Sequence, residues 1–230
     1  IKFNNSKNKR FISQWIHNMK TPISVIDLII QKTSKSEIPA EKALIDIKKE
    51  NDSLLNKLEQ VLMLMRLENF TNDYIPETID LIKTLRKVIN NRKNQFIYSN
   101  VYPKLETSEE HVMVLSDEKW NEAMIDQIVS NAVKYSNAKD KSKNVYFSIK
   151  KADDKVLLSI RDEGIGIPEY DIQRIFEPFF TGDNGRLCGG ATGIGLYFCA
   201  EVAKKLGNKI NVYSKTGEGT EIVITYLSKL

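Results

Sequence analysis

The sequence predicts an α+β chain: a helical hairpin that pairs into a dimeric four-helix bundle, followed by a two-layer α/β sandwich. Three observations predict it. Apolar residues of the first segment recur at spacings of three and four, the seam of packed helices. That seam stops near residue 70, where the composition changes. Beyond it, the strands come as hairpins set apart from the helices, which argues an α+β sandwich and against a doubly wound parallel sheet.

In the first segment the seam runs Ile12, Ile16, Met19, Ile23, Ile26 and Ile30. A breaker stretch, Thr33 to Pro39, separates it from a second seam, Leu44, Ile47, Asn51, Leu54, Leu58, Val61 and Met65, widened by Leu55 and Leu62. Two such helices cannot bury their seams alone, so a homodimer is the simple solution. Asn51 either fixes register or is a tolerated polar residue. Asn69–Asp73 reads as a linker, giving domains over residues 1–70 and 71–230. In the second, strand is expected at Tyr74–Ile79, helix at Asp80–Asn91, strands at Phe96–Val101 and Val112–Ser116, and helix at Asp117–Tyr135. A hairpin follows at Val145–Lys150 and Val156–Arg161. A last helix, Gly195–Leu206, leads to strands Ile210–Ser214 and Glu221–Tyr226.

Composition narrows the class. The 230 residues, 41% hydrophobic and 28% charged, suit one large or two modest globular domains. Cys188 and Cys199 make neither a disulfide framework nor a zinc cluster. No apolar run approaches the roughly 18 residues of a membrane span, and the start carries no signal-peptide core. As it begins without Met, the chain is expected to be a fragment whose targeting segment lies elsewhere. A formal charge of +4 is too weak to argue a nucleic-acid partner, and none is expected. The basic excess sits in residues 1–70, with 12 basic and 8 acidic side chains against 22 of each beyond.

Three glycine clusters stand out: Asp162 to Ile167, Gly189 to Leu196, and Gly217 to Thr220. Glycine lets backbone N–H groups approach an anion, and Gly193-Ile194-Gly195 opens a helix whose N-terminus favours phosphate; each cluster alone is equally plain turn chemistry. No Walker sequence is present, and Gly193 follows no strand, so P-loop and Rossmann readings fail. Upstream, Gln127, Asn131 and Lys134 share one helical face, either a solvated face or a place where an amide oxygen meets Mg²⁺ and a lysine meets phosphate. Phe176 to Phe180 reads as an aromatic anchor for a loop running Thr181 to Ala191.

His17-Asn18-Met19-Lys20-Thr21-Pro22, Ser130 to Ser136 around Asn131, Asp162-x-Gly164-x-Gly166, Phe176 to Phe180 and Gly193-x-Gly195 occur in the order found in the sensor histidine kinases of two-component systems, which the chain resembles over nearly its whole length. Trp15 to Lys20 and Thr181 to Arg186 more narrowly resemble the intramembrane-sensing, bacitracin-sensor-like kinases that act beside peptide-antibiotic transporters. The resemblance implies the histidine kinase/Hsp90-like ATPase fold, ATP and Mg²⁺ as cofactors, and His17 as phosphoacceptor. It implies Asn131 on Mg²⁺, Lys134 near the phosphates, Tyr135 against the nucleotide, and Asp162 accepting the adenine amino group. Gly164, Gly166 and Ile167 lie beside the base, Thr192, Gly193, Gly195 and Leu196 form the hinge and phosphate cradle, Gln127 opens the polar face, and Thr220 lies under the adenine. Arg186 either reaches the γ-phosphate or solvates its loop. Thr21, one turn beyond His17, is expected to orient water against a docked regulator or to be a surface threonine. His111 reads as a surface residue.

His17 follows a seam residue and so points out of the bundle, where a neutral imidazole attacks in line. Pro22 removes a helical hydrogen bond five residues later. Two positions depart from the family pattern. Asn18 stands where a carboxylate is usual, so it can fix a tautomer but cannot take a proton. Gln127 stands where asparagine is common, and as an amide it cannot activate water. The implied partners are a second copy, a response-regulator receiver domain and, through a missing membrane region, an ABC transporter. The implied setting is the cytoplasmic side of the bacterial membrane. A hydrolytic ATPase of this fold and a catalytically dead nucleotide-binding scaffold are the competing readings.

Overall fold

The computed structural model describes residues 5–136, 142–187 and 191–227. The chain divides into two compact units, the first ending at Arg66 and the second beginning at Leu67.

The first unit is a hairpin of α1 (Asn5–Ser34) and α2 (Ala40–Glu68). Its turn, Lys35–Ser36, closes the first helix through amide bonds back to Gln31 and Thr33. Pro22 is buried inside α1, which continues through it. Ile29, Ala43, Val61 and Leu64 are buried within the hairpin. Of the seam expected from sequence, Val61 is buried in the hairpin, Met19, Ile26, Ile47 and Leu54 are half-buried, and Ile16, Ile23, Ile30, Leu44, Leu55, Leu58, Leu62 and Met65 are exposed. Asn51 is exposed with them.

The second unit begins with a short helix, α3 (Phe70–Asp73), where a linker was expected, because Phe70 is buried and anchors it. β1 (Glu77–Asp80) leads into α4 (Leu81–Asn91), capped by Asp80, whose side chain accepts from the Ile82 amide at 3.0 Å. α5 (Lys93–Tyr98) follows, then β2 (Val101–Glu106) and β3 (Met113–Ser116). The strand expected at Phe96–Val101 is therefore corrected. Residues 96–98 are β-formers by type, yet Phe96 is buried from a helical turn whose amide bonds back to Arg92, so tertiary packing overrides propensity. The strand lies after it, and Pro103 is tolerated there because β2 is an edge strand.

α6 (Glu118–Ser136), the hairpin of β4 (Lys143–Ala152) and β5 (Lys155–Asp162), two short helices α7 (Glu169–Ile172) and α8 (Gly182–Leu187), α9 (Gly195–Lys205), β6 (Lys209–Lys215) and β7 (Gly219–Leu227) complete the chain. β1 and β3 form a separate antiparallel pair. The main sheet has order β2-β4-β5-β7-β6. It is mixed: β2 runs parallel to β4, while β4–β5, β5–β7 and β6–β7 are antiparallel, the last three being the run of antiparallel strands that the hairpins announce. The connection between β2 and β4 passes through β3 and α6, long enough for a crossover.

Alternation along the strands gives the two layers. Val145, Phe147, Leu158, Ile160, Ile224 and Tyr226 are buried on one face, against Trp120, Met124, Ile125 and Ile128 of α6 and Phe198 and Val202 of α9. Tyr226 meets its polar demand in this layer by donating to Asn121 Oδ1 at 2.7 Å. Cys199 is buried here, and desolvation pushes its thiol well above the ordinary range. The α+β class, helices first and sandwich second, stands.

Candidate active site

The polar face of α6 exists because the opposite face is committed to the core. Trp120, Met124, Ile125, Ile128, Val129, Ala132 and Val133 are buried, which leaves Gln127, Asn131, Lys134 and Tyr135 half-buried along the other side. Gln127 Nε2 donates to Asn131 Oδ1 at 3.4 Å. The Lys134 ammonium lies 5.5 Å from the centre of the Tyr135 ring.

Where α6 ends, the Asp162–Ile167 turn meets it. The Ile165 amide donates to the Tyr135 carbonyl at 3.3 Å. Asp162 sits at the end of β5, 7% exposed. Its Oδ1 accepts both the Gly164 amide at 2.8 Å and the Thr220 amide at 3.2 Å. Burial pushes the carboxyl up to about 6, with those two amide bonds opposing the shift. Gly166 has φ +67°, and a Cβ there would strike the Lys215 carbonyl. Thr220 and Ile167 are joined through Ser214, whose hydroxyl accepts from the Ile167 amide and lies against Thr220 Oγ1, both at 2.8 Å.

The third wall is the start of α9. Gly193 has φ +67° and a Cβ there would run into the Phe179 backbone; its carbonyl accepts from the Phe179 amide at 2.9 Å. The aromatic anchor and the glycine hinge are thus one connected feature. Gly195 lies against Gln127, whose Nε2 would be 2.5 Å from a Cβ at that position. Thr192 is buried and Leu196 half-buried on either side of the hinge. Where a loop was expected at 181–191, six residues form α8, and Asn184 Nδ2 ties it to the Gly166 carbonyl at 2.5 Å. The Arg186 side chain, Cys188, Gly189 and Gly190 lie outside the described residues.

Gln127, Asn131, Lys134 and Tyr135 of α6, Asp162, Gly164, Gly166 and Ile167 at the end of β5, Gly193 and Gly195 at the start of α9, and Thr220 of β7 are therefore brought together from four elements. His17, Asn18 and Thr21 lie in the hairpin unit; His17 and Thr21 are exposed and Asn18 is half-buried. His111 is exposed, as expected of a surface residue, and its Nδ1 meets Asp80 Oδ2 at 2.7 Å. Burial tends to raise the Asp80 carboxyl, but the bonds from His111, Val112 and Ile82 outweigh it and hold it low. Sequence reading missed Ser214 and Asn184. Ser214 is an ordinary strand residue and Asn184 an ordinary residue of a short helix, and the partners of both lie in another element.

Residues 116–229 match the family described as histidine kinase-, DNA gyrase B-, and HSP90-like ATPase. The chain is 38% identical over 220 residues to the sensor histidine kinase YxdK of Bacillus subtilis, covering 96% of this chain and 65% of that protein. It is 33% identical over 216 residues to the sensor protein BceS of Halalkalibacterium halodurans, with 92% and 60% covered. The chain thus spans somewhat under two thirds of the length of these curated relatives. Among solved structures, the histidine kinase ThkA in complex with the response regulator protein TrrA shares the fold with TM-score 0.74 at 19% identity, over 96% of this chain and 61% of that one. Helical hairpin, ATPase-type sandwich and relatives of this identity agree: the chain is similar over nearly its whole length to the sensor histidine kinases of bacterial two-component systems, BceS among them.

Proposed function

We propose that the chain is the kinase core of a homodimeric sensor: it transfers the γ-phosphoryl group of Mg-ATP to a ring nitrogen of His17, then to an aspartate of a response regulator. The observation that carries this reading is Asp162. A buried carboxylate whose Oδ1 is saturated by two backbone amides offers one directed acceptor at Oδ2. That matches the amino group of adenine, whereas guanine presents a carbonyl at the corresponding place and would be repelled.

The remaining residues fall into supporting roles. Lys134 meets phosphate charge, and Tyr135 and Thr220 bracket the base. Gly164, Gly166 and Ile167 bring backbone close to it. Thr192, Gly193, Gly195 and Leu196 open α9 toward the phosphates. The donor set fits Mg²⁺: Asn131 offers a neutral amide oxygen beside Gln127, the hard ligand such an ion takes alongside phosphate oxygens and water. When bound, the ion supplies charge neutralisation at the phosphates. Transfer breaks the bond from the γ-phosphorus to the bridging oxygen, which leaves as ADP, and forms the phosphorus–nitrogen bond. The proton on the far ring nitrogen then goes to solvent, since Asn18 orients that nitrogen without accepting a proton. Thr21, on the same face as His17, is placed to hold the water that hydrolyses the regulator's acyl phosphate.

The receiver-domain partner rests on the family and on the complex that ThkA forms. The full-length protein is read as anchored in the bacterial membrane, with this portion cytoplasmic. Its sensing region is read as working beside a peptide-antibiotic ABC transporter. No helix among the described residues is long and apolar enough to cross a membrane.

Incubation with γ-labelled ATP tests the reaction. The native chain is expected to take acid-labile, alkali-stable label. His17→Gln is expected to take none while nucleotide affinity stays within about three-fold, because the acceptor and the nucleotide site lie on different units. Free phosphate released without labelled protein would support the hydrolytic reading. Tight nucleotide binding with neither product would support the dead scaffold.

A further inference from the structure

Within an α-helix the Asn18 carbonyl should accept from the amide of residue 22. Residue 22 is proline, which has no N–H to give. Because α1 runs from Asn5 to Ser34 with Pro22 inside it, that carbonyl loses its intrahelical donor in mid-helix, one residue after His17. Lys57 of α2 takes the vacant place: its Nζ donates to the Asn18 carbonyl oxygen at 3.0 Å, 39 residues away in sequence and partly buried. Burial holds the Lys57 ammonium below its ordinary range, with nearby Glu50 acting the other way. Long lysines normally keep the charged head in water. This one gives up hydration to reach a backbone oxygen that Pro22 leaves open.

We propose that Lys57 is a positioning residue for phosphoryl transfer at His17, replacing the hydrogen bond that Pro22 removes and so fixing the α1 backbone from which the imidazole projects. The inference rests on the kinase reading for its chemistry and on the Lys57–Asn18–Pro22 geometry for its structure. An unsatisfied carbonyl in a half-buried helix is relieved when the helix tilts or admits water. Either change redirects the His17 ring. In-line attack tolerates little of this, since misplacement by about 1 Å costs up to roughly 10²-fold. Pro22 and Lys57 thus form a pair, in which the proline creates the need and the lysine meets it from the other helix.

A double-mutant comparison in the full 230-residue chain tests the pairing, because Pro22→Ala restores the missing N–H and makes Lys57 dispensable. Lys57→Met, which keeps the stem, is expected to slow His17 labelling at saturating Mg-ATP about ten-fold, with KM for ATP unchanged. Lys57→Arg should retain most of the rate. In the Pro22→Ala background, Lys57→Met should change the rate less than about two-fold. A second readout needs no activity. The ring ¹⁵N signals of His17 and the amide exchange of residues 18–23 should shift with Lys57→Met beside Pro22, and stay unmoved by it beside Ala. Equal effects in the two backgrounds, or ring signals indifferent to Lys57→Met, overturn the proposal. A native chain that takes no label at His17 sinks the kinase reading instead, and the ring signals then still decide whether Lys57 positions His17.

Discussion

Asp162 sets two pH dependences of opposite sign. Its folded pKa, about 6, lies above the ordinary 3.8 because the carboxyl is buried, the Gly164 and Thr220 amides only partly compensating. As pH rises through this window the unfolded chain loses its proton first, so the stability of the ligand-free domain falls between 3.8 and about 6, by at most about 1.4 kcal/mol per pH unit. Below the window both states are protonated and the penalty vanishes. On the proposed role of Asp162, adenine binding is expected to run the other way: a proton on Oδ2 would turn the acceptor into a donor, so nucleotide affinity should drop as pH falls below about 6. Asp162→Asn keeps Oδ1 for the two amides and puts an NH₂ where adenine needs an acceptor. The variant should melt higher than native at pH 7.5 without ligand, lose its pH-dependent stability in this window, and bind ADP at least about ten-fold more weakly. Paired melting and calorimetric titrations at pH 5 and 7.5 check all three, and unaltered ADP affinity would remove Asp162 from adenine recognition.

At the scale of elements, what was legible depended on whether the signal was local. α1, α2, α6 and α9 announce themselves because burying one face of a helix forces apolar spacings of three and four. The polar face of α6 was readable for the same reason, as the complement of its buried stripe. α5 was misread because Phe96, Ile97 and Tyr98 favour strands by type, and only the packing of Phe96 decides for a helix. α8 is six residues long and is held by Asn184 reaching Gly166, a partner 18 residues away, which no local pattern encodes. Ser214 beneath Ile167 and Thr220, and Lys57 beneath Asn18, escaped for that same reason. The Asn184 tether predicts behaviour of its own element. Removing one neutral hydrogen bond costs about 1 kcal/mol, so Asn184→Ala should speed amide exchange across 182–187 roughly five-fold. The global melting temperature should stay within about 2 °C, and ADP affinity should fall by a comparable few-fold. Exchange that is unchanged in 182–187 would mean that α8 is held by other contacts.

For the whole molecule, the balance of buried and exposed apolar surface in the hairpin argues the assembly. Among the described residues, Ile29, Ala43, Val61 and Leu64 are buried in the hairpin, while ten large apolar residues from Ile16 to Met65 remain exposed. Fully covering one such side chain contributes about 1.5–3 kcal/mol, so the hairpin gains more from a second copy than it holds alone. The exposed part of the seam therefore marks the face for a partner, as the spacing led one to expect, and a four-helix bundle is the closed, two-fold way to cover it. Ile30 and Leu44 lie on this face at the turn end of the hairpin, about two helical turns or more from His17, so charging them tests assembly without touching the acceptor. The native chain should sediment at twice 26.4 kDa, and its hairpin transition should lose about 1.4 kcal/mol of apparent stability per ten-fold dilution. Ile30→Glu combined with Leu44→Glu should sediment at 26.4 kDa, with a transition independent of concentration and ADP affinity unchanged. Loss of His17 labelling in that monomer would show that the bundle is needed for transfer. A native chain that sediments as a monomer at 100 µM would leave these ten residues without their partner and refute the dimer.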